Sequence, residues 1–268
     1  MVQKKKKILF VSSEMAPFLE DSPVATIARL LPQAIQEKDN EIRILVPRFG
    51  VINERRNRLH EVVRLSGINI TIDDNDNPLI IKVASIPQTK MQVYFLDNED
   101  YFHRKAVYSN DKGEFFEDND ERTIFFCKGV LETVKKLGWA PDIIHCQGWM
   151  TSLIPVYLKT IYKDEPVYLG TKVVYSIFDK EFEQQLGKDF TRKASLNAVP
   201  DNHLECFSPG DHCSLQIGAI THSDAVVQVG VSVDPAVSKH ISDKPFMQHS
   251  DDQQGDQYAS LYDQLCNR

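Results

Sequence analysis

The apolar residues of this chain fall into short unbroken runs rather than an alternating pattern. The first run, Ile8 to Val11, lies between four lysines and two serines. A run without alternation is typical of a strand buried on both faces of a parallel sheet. Similar runs predict further strands at about 42–46, 92–96, 143–145, 172–176 and 225–229. The predicted fold is therefore α/β: one Rossmann-like, doubly wound and mainly parallel sheet with helices on both faces.

Helical spacing follows several of these strands. After the first strand it is carried by Val24, Ile27, Ala28, Leu31 and Ile35. Ser22 is a suitable N-cap for this helix, and Pro23 takes the first helical position, where its missing N–H costs nothing. A longer helix is predicted over 119–137, with Gly138 as its stop. Shorter helices are predicted at 151–162, 212–222 and 235–241.

Three strand-like runs, at 60–65, 68–72 and 79–86, interrupt the order of strand and helix. Residues 73–78, a cluster of Asp, Asn and Pro, separate the last two runs and predict a turn. This pattern indicates an antiparallel hairpin inserted into the parallel sheet.

Two other stretches lack periodicity. Residues 178–211 are polar and irregular, and no element is predicted there. Residues 242–268 are also polar, and we expect them to form a mobile C-terminal tail. The predicted organisation is one domain over residues 1–241 followed by this tail.

Composition narrows the classes of function. The 268 residues carry a net charge of −7 with a pI near 5.6, which argues against a nucleic-acid partner. No apolar stretch approaches the roughly 18 residues of a membrane span, so no membrane partner is expected. Five cysteines are an odd number for a disulfide framework, and reduced thiols in the cytoplasm are expected instead.

The turn after the first strand bears on function, because ligands of open α/β sheets bind at this edge. No glycine occurs between Lys7 and Leu31. Close approach of backbone N–H groups to a phosphate normally needs glycine, and Glu20 and Asp21 add negative charge. The position suits a phosphate site, whereas the residues do not.

Several stretches together resemble a known family. They are KILFVSSEMAPF from Lys7, LLPQAI from Leu30, RILVPRFG from Arg43, DNDERTIFFCKGVLE from Asp118, APDIIHCQGWMTSLIPVYLK from Ala140 and YLGTKVVYSI from Tyr168. The chain resembles the N-terminal half of bacterial glycogen synthases and plant starch synthases. These are retaining glucosyltransferases of glycosyltransferase family 5 with the two-Rossmann GT-B architecture. The resemblance runs from about residue 6 to about residue 241.

The resemblance also shows where this chain departs from the family. A Lys-Thr-Gly-Gly-Leu motif, which places its lysine and glycines on the donor phosphates, corresponds to residues 20–24, read here as Glu-Asp-Ser-Pro-Val. The family's His-x-His-Asp-Trp corresponds to His145–Trp149, read as His-Cys-Gln-Gly-Trp. Its Thr-Ile-His-Asn corresponds to Ser176–Asp179, read as Ser-Ile-Phe-Asp. The polar chemistry of three loops is thus altered together.

The resemblance implies seven candidate substrate-binding positions in the cleft of the family. No catalytic residue, metal ligand or cofactor is assigned. These positions are Glu14, Glu20, Arg48, Gln147, Trp149, Phe178 and Asp179. Three of them have a structural alternative. Glu14 could hydrogen-bond a loop backbone, Arg48 could hold an anion or only an ion pair, and Trp149 could stack on a sugar or pack in the core.

Two further constellations were weighed against plainer interpretations. His203, Cys206, His212 and Cys213 could supply zinc ligands, although their spacing fits no standard pattern. His145 and Cys146 could form a catalytic pair, but they end a buried strand and more simply pack in the core.

Two functions are therefore expected. The first is a non-catalytic module of glycogen metabolism that acts through protein contacts or weak binding of an α-glucan or sugar nucleotide. The second is a glucosyltransferase that moves glucose from ADP-glucose to an α-1,4-glucan, with a partner chain supplying the second domain, for which residues 242–268 are too few. Large apolar residues at the sheet's carboxyl edge also predict self-association or a protein partner there. They are Phe18, Leu19, Trp149, Met150 and Phe178.

Overall fold

A computed structural model describes residues 5–19, 22–87, 89, 91–251 and 254–267. Its strands are β1 Lys7–Ser12, β2 Glu41–Pro47, β3 His60–Glu61, β4 Ile68–Ile72, β5 Asn75–Ser85, β6 Gln92–Asp97, β7 Ile143–Gln147, β8 Lys172–Ile177, β9 Ala225–Gln228 and β10 Phe246–Gln248. Its helices are α1 Pro23–Gln36, α2 Glu54–Asn57, α3 Glu99–Phe102, α4 Asn119–Leu137, α5 Ile154–Lys159, α6 Phe190–Ala194, α7 His212–His222, α8 Pro235–Ser238 and α9 Gln254–Cys266.

The strands form a mostly parallel sheet in the order β10-β9-β8-β7-β1-β2-β6-β5-β3. β1 lies between β2 and β7 and is parallel to both. After β1 the chain adds β2 and β6 on one side of β1, and from β7 onward it adds strands on the other side. In open α/β sheets the loops diverge at such a point and leave a crevice at the carboxyl ends of the strands. The predicted mainly parallel α/β fold is confirmed.

The inserted hairpin is present, but its turn is shorter than predicted. β4 and β5 pair antiparallel from Ile72↔Asn75 onward, so only Asp73 and Asp74 connect them. Both turn residues have positive φ, 47° and 62°. Two consecutive residues in this region make the tight turn that matches strand twist, and Asp tolerates it. Residues 75–78, predicted as turn, instead begin β5.

The two main predicted helices are also found. Ser22 caps α1 by accepting a hydrogen bond from the Ala25 backbone N–H at 3.0 Å. Gly138 ends α4 in the left-handed conformation with φ of 61°. The helix predicted at 151–162 is shorter, because a 3-10 turn precedes α5, which spans only Ile154–Lys159. The unassigned stretch 178–211 contains α6 and two 3-10 turns.

The C-terminal stretch requires a correction. Residues 242–268 were expected to form a polar tail, but β10 joins the sheet beside β9 and α9 packs against α1. Four apolar residues recur at helical spacing in α9, and all are buried: Tyr258, Leu261, Tyr262 and Leu265. The polar residues between them conceal this stripe in the sequence. The described part of the stretch is therefore integral to the domain.

Among the described residues, no helix is long and apolar enough to cross a membrane.

Candidate functional site at the carboxyl edge of the sheet

A cleft of about 560 Å³ opens at the carboxyl ends of β1, β8 and β9. It is lined by Glu14, Ser22, Pro23, Val24, Tyr108, Phe178, Asp179, Lys180, Glu181, Val229, Gly230 and Val231. Of the predicted substrate-binding positions, Glu14, Phe178 and Asp179 are thus brought together. A second cleft of about 510 Å³ shares Phe178 and Lys180 with the first.

The charge of the first cleft is predominantly negative. Its described lining contains three carboxylates, Glu14, Asp179 and Glu181, against one cation, Lys180. Lys180 is itself ion-paired with Glu183. Like charges around a cleft repel an anionic ligand, and the repulsion is strong where protein excludes water.

The inner wall of the cleft contains the buried hydroxyl of Tyr108, which makes no hydrogen bond of normal geometry but lies beside the side chains of Ser13 and Glu14. Burial raises the pKa of Tyr108 well above its ordinary value, and the charges of Glu14 and Glu181 add to the shift. Burial also raises the pKa of Glu181, although the nearby His212 opposes this rise. His212 Nε2 lies 3.6 Å from Glu181 Oε1.

Asp179 binds the loop that follows β9. One carboxylate oxygen accepts a hydrogen bond from the Ser232 backbone N–H at 2.8 Å and one from the Ser232 hydroxyl at 3.2 Å. The other oxygen accepts from the Val231 N–H at 3.3 Å. These bonds, led by that from the Ser232 backbone, lower the pKa of Asp179. The Asp179 carboxylate therefore accepts hydrogen bonds from two adjacent backbone N–H groups that could otherwise bind an anion.

Arg48 does not line the cleft. It follows β2, and its guanidinium contacts Glu54 in an ion pair. Lys82 extends this network with contacts of 2.7 Å to Glu54 and 2.8 Å to Asp97, whose side chain is 1% exposed. The ion-pair alternative for Arg48 is the one that the structure shows.

Trp149 is 1% exposed, so the structure shows the packing alternative for this side chain. Its ring packs against Phe182 at 4.9 Å and Tyr108 at 5.0 Å between centroids. Met150 and Phe178 are buried as well, whereas Phe18 and Leu19 are half-buried. Three of the five apolar residues expected at an interface therefore belong to the chain's own core, and self-association stays a prediction.

Gln147 lies at the end of β7 and is fully buried, although neither atom of its amide has a hydrogen-bond partner among the described residues. Glu20, with Asp21, lies outside the described residues. In the part of the chain that the structure describes, no three His, Cys, Asp or Glu side chains converge on a metal site. The four residues suggested as zinc ligands, His203, Cys206, His212 and Cys213, do not converge on one site.

The His145 and Cys146 pair is structural. His145 Nδ1 lies 2.6 Å from the Tyr262 hydroxyl, and its Nε2 lies 2.7 Å from Ser176 Oγ. Complete burial lowers the pKa of His145 to about 3. It also raises the pKa of Cys146 well above its ordinary value, so this thiol has no nucleophilic character at neutral pH.

Sequence reasoning did not single out Tyr108, Glu181 or His212 as cleft residues. Glu181 follows a predicted strand within three residues of Phe178, so its nearness to the edge was a usable signal. Tyr108 comes from a loop that folds back over Trp149, and no local pattern indicates that contact.

A family model described as starch synthase catalytic domain matches residues 7–246. The chain belongs to the starch synthase catalytic-domain family. Its proposed kinship with glycogen and starch synthases is thereby confirmed over most of its length.

Two curated relatives of this family member are glycogen synthases of Chlorobium luteolum and Chlorobaculum parvum. The glycogen synthase of Chlorobium luteolum is 44% identical over 178 residues, which cover 66% of this chain and 36% of the relative. That of Chlorobaculum parvum is 34% identical over 246 residues, which cover 91% of this chain and 49% of the relative. The chain thus spans about half, or less, of the curated relatives that it matches.

A solved structure shares the fold. The catalytic domain of Starch Synthase IV from Arabidopsis thaliana, bound to ADP and acarbose, matches with a TM-score of 0.73 and 18% identity. The match covers 93% of this chain and 52% of the plant chain. At this identity the match supports the α/β architecture alone.

Proposed function

We propose that this chain is a non-catalytic member of the starch synthase catalytic-domain family. In this proposal it works in glycogen metabolism by binding a protein or, weakly, a carbohydrate ligand, and it does not transfer glucose. The cytoplasmic location expected from the five cysteines belongs to the same proposal.

The proposal rests on the charges and the hydrogen-bonded N–H groups at the carboxyl edge of the sheet. A sugar nucleotide presents a diphosphate, which needs cations or free backbone N–H groups. The cleft offers three carboxylates, and Asp179 occupies the N–H groups of Val231 and Ser232. Pro23, which has no N–H, and Ser22, which caps α1, stand where the family has glycines.

A second candidate is glucosyl transfer from ADP-glucose to an α-1,4-glucan, with the remaining half of the active site supplied from elsewhere. Its support is family membership, together with relatives that are named glycogen synthase and a fold relative that binds ADP and acarbose. Membership alone does not restore the cationic and glycine residues of a phosphate site.

Calorimetric titration of the purified chain with ADP-glucose and with a malto-oligosaccharide tests the proposal. The matched control is the intact Chlorobaculum parvum relative. We expect no heat from ADP-glucose with this chain, and weak or no binding of the oligosaccharide. ADP-glucose affinity equal to that of the intact control would overturn the proposal.

The Asp179→Ala variant probes the same surface. It removes a negative charge and frees two backbone N–H groups, so it should bind ADP more tightly than the wild type does. Glu205→Ala, which removes an exposed carboxylate that lines neither cleft, is its control. Equal ADP binding by both variants would show that the Asp179 contacts do not govern anion access.

A further inference from the structure

Away from the cleft, two imidazole rings face each other. His222 is the last residue of α7, and His203 ends the 3-10 turn Asp201–His203. His203 Nδ1 lies 3.2 Å from His222 Nε2, and both side chains are half-buried. We propose that His203 and His222 form a two-histidine site for a divalent transition-metal ion such as Zn²⁺ or Ni²⁺. Imidazole nitrogen is a preferred ligand of these ions.

The hydrogen bond on the far side of His222 determines which nitrogen can bind. His222 Nδ1 lies 2.9 Å from the carbonyl oxygen of Gly218, one helical turn earlier. A carbonyl only accepts, so Nδ1 carries the proton and donates it. The lone pair of the neutral ring is therefore on Nε2, which faces His203. A ring N–H donated to a backbone carbonyl is the usual support of a metal-binding histidine.

The ring positions are close to those that a shared ion requires. Zinc binds histidine nitrogen at about 2.0–2.1 Å, so two nitrogens on one tetrahedral ion lie about 3.3 Å apart. The observed separation is 3.2 Å, the length of the hydrogen bond that His203 Nδ1 donates to His222 Nε2, so a bound ion would replace the proton of this bond. His222 is also stacked on Phe207 with an interplanar angle of 12°, which limits its rotation. Ring rotation of His203, with its proton moved from Nδ1 to Nε2, would present the second lone pair.

The surrounding charges act in both directions. The C-terminus of α7 carries partial negative charge, which favours a cation beside His222. Lys159 and Lys244 lie near His222 and oppose a cation there. Lys159 is ion-paired with Asp224 at 2.8 Å, so its charge is partly compensated.

The site uses two protein ligands, and water completes the coordination. Among the described residues no third His, Cys, Asp or Glu converges with this pair. Cys206 is nearby, but its Sγ points to the carbonyl oxygen of His203 at 3.5 Å, and burial raises the pKa of the thiol. Because catalytic and structural zinc sites use three or four protein ligands, binding here should be weaker than in those sites.

Titration of the full chain with Zn²⁺ under reducing conditions, followed by calorimetry and by Ni²⁺ competition, tests the proposal. One ion should bind per chain. His203→Gln and His222→Gln should each weaken binding by at least the roughly 10–100-fold that follows loss of a supporting residue. Cys206→Ser, in the same neighbourhood, and the exposed His240→Gln should leave the affinity unchanged.

A measurement on the unmodified chain makes the test independent of whether the variants fold. In NMR spectra, the ring C–H signals of two of the histidines should shift together as Zn²⁺ is added, in proportion to occupancy. Unchanged affinity in both histidine variants, loss of binding in Cys206→Ser, or shifts spread over many histidines would overturn the two-histidine assignment.

Discussion

Two polar side chains on the same strand, two residues apart, are in opposite situations. His145 and Gln147 both lie on β7, and both are 0% exposed. His145 has a partner on each ring nitrogen, Tyr262 of α9 and Ser176 of β8. Neither atom of the Gln147 amide has a hydrogen-bond partner among the described residues. A bonded buried polar group stabilises a fold, whereas an unbonded one costs free energy.

Two regions of the sheet differ in whether their buried polar groups are hydrogen-bonded. Under α9, the polar groups around His145 complete one another and are part of the core. At the carboxyl edge, the buried side chains of Ser13, Tyr108 and Gln147 hold polar atoms without a hydrogen bond of normal geometry among the described residues. Such atoms cost free energy unless water or a ligand bonds them.

The largest effect should follow from breaking the bonded region. His145→Leu would leave the Tyr262 and Ser176 hydroxyls buried without this partner. Each such orphan costs about 1–3 kcal/mol, so the free energy of unfolding should fall by about 2–6 kcal/mol. Urea unfolding measures the change.

The double variant His145→Leu/Tyr262→Phe is the control for this experiment. Removing one orphan hydroxyl should recover about 1–3 kcal/mol relative to the single variant. If the double variant is no more stable than the single variant, the bond between α9 and β7 does not carry the energy assigned to it.

The unbonded region should respond in the opposite direction. Gln147→Met replaces an unpaired buried amide with an apolar side chain of similar length, and it should raise the free energy of unfolding by about 1 kcal/mol. Gln216→Met is the matched control, because the buried Gln216 amide donates to the Phe178 carbonyl at 3.0 Å and its loss should destabilise. Equal destabilisation by both substitutions would remove the distinction drawn here.

The smallest effect concerns pH and the cleft carboxylate Glu181. Its folded pKa is raised above 4.5, mainly by burial, so the folded chain binds more protons than the unfolded chain between 4.5 and the raised value. Stability should therefore fall as pH rises through this window. Glu181→Gln removes the effect and should be more stable than the wild type at neutral pH.

The pH dependence supplies its own control. Below pH 4.5 the difference between Glu181→Gln and the wild type should vanish, since both side chains are then neutral. Glu183→Gln, at an exposed ion pair, should follow the wild type at every pH. Thermal unfolding across the pH range measures both, and a constant offset for Glu181→Gln would contradict the burial argument.

The strands were predictable because fully buried parallel strands appear as unbroken apolar runs, such as Ile8–Val11. The helix α9 was missed although Tyr258, Leu261, Tyr262 and Leu265 have helical spacing, because the polar composition of the surrounding residues favoured a tail. The hairpin turn was overestimated because Asn75 and Asn77, typical of turns, lie in a strand here.

The candidate site was predictable in part. Glu14, Phe178 and Asp179 follow strand ends and therefore meet at one edge. The burial of Trp149 depends on Tyr108 and Phe182, which reach it from separate loops, and no local pattern reveals such contacts. His203 and His222 likewise contact each other only because a 3-10 turn packs against the end of α7.

We propose that the carboxyl edge of this chain does not support sugar-nucleotide chemistry. The most direct test fuses the full chain to the C-terminal half of the Chlorobaculum parvum relative and measures glucose transfer from ADP-glucose to glycogen. The intact relative is the reference, and a single cooperative melting transition verifies that the fused halves assemble.

We expect transfer at least about 100-fold slower than that of the intact relative, since loss of even one electrostatic contact at a reaction centre costs about 100–1000-fold. Turnover comparable to that of the intact relative would refute the proposal.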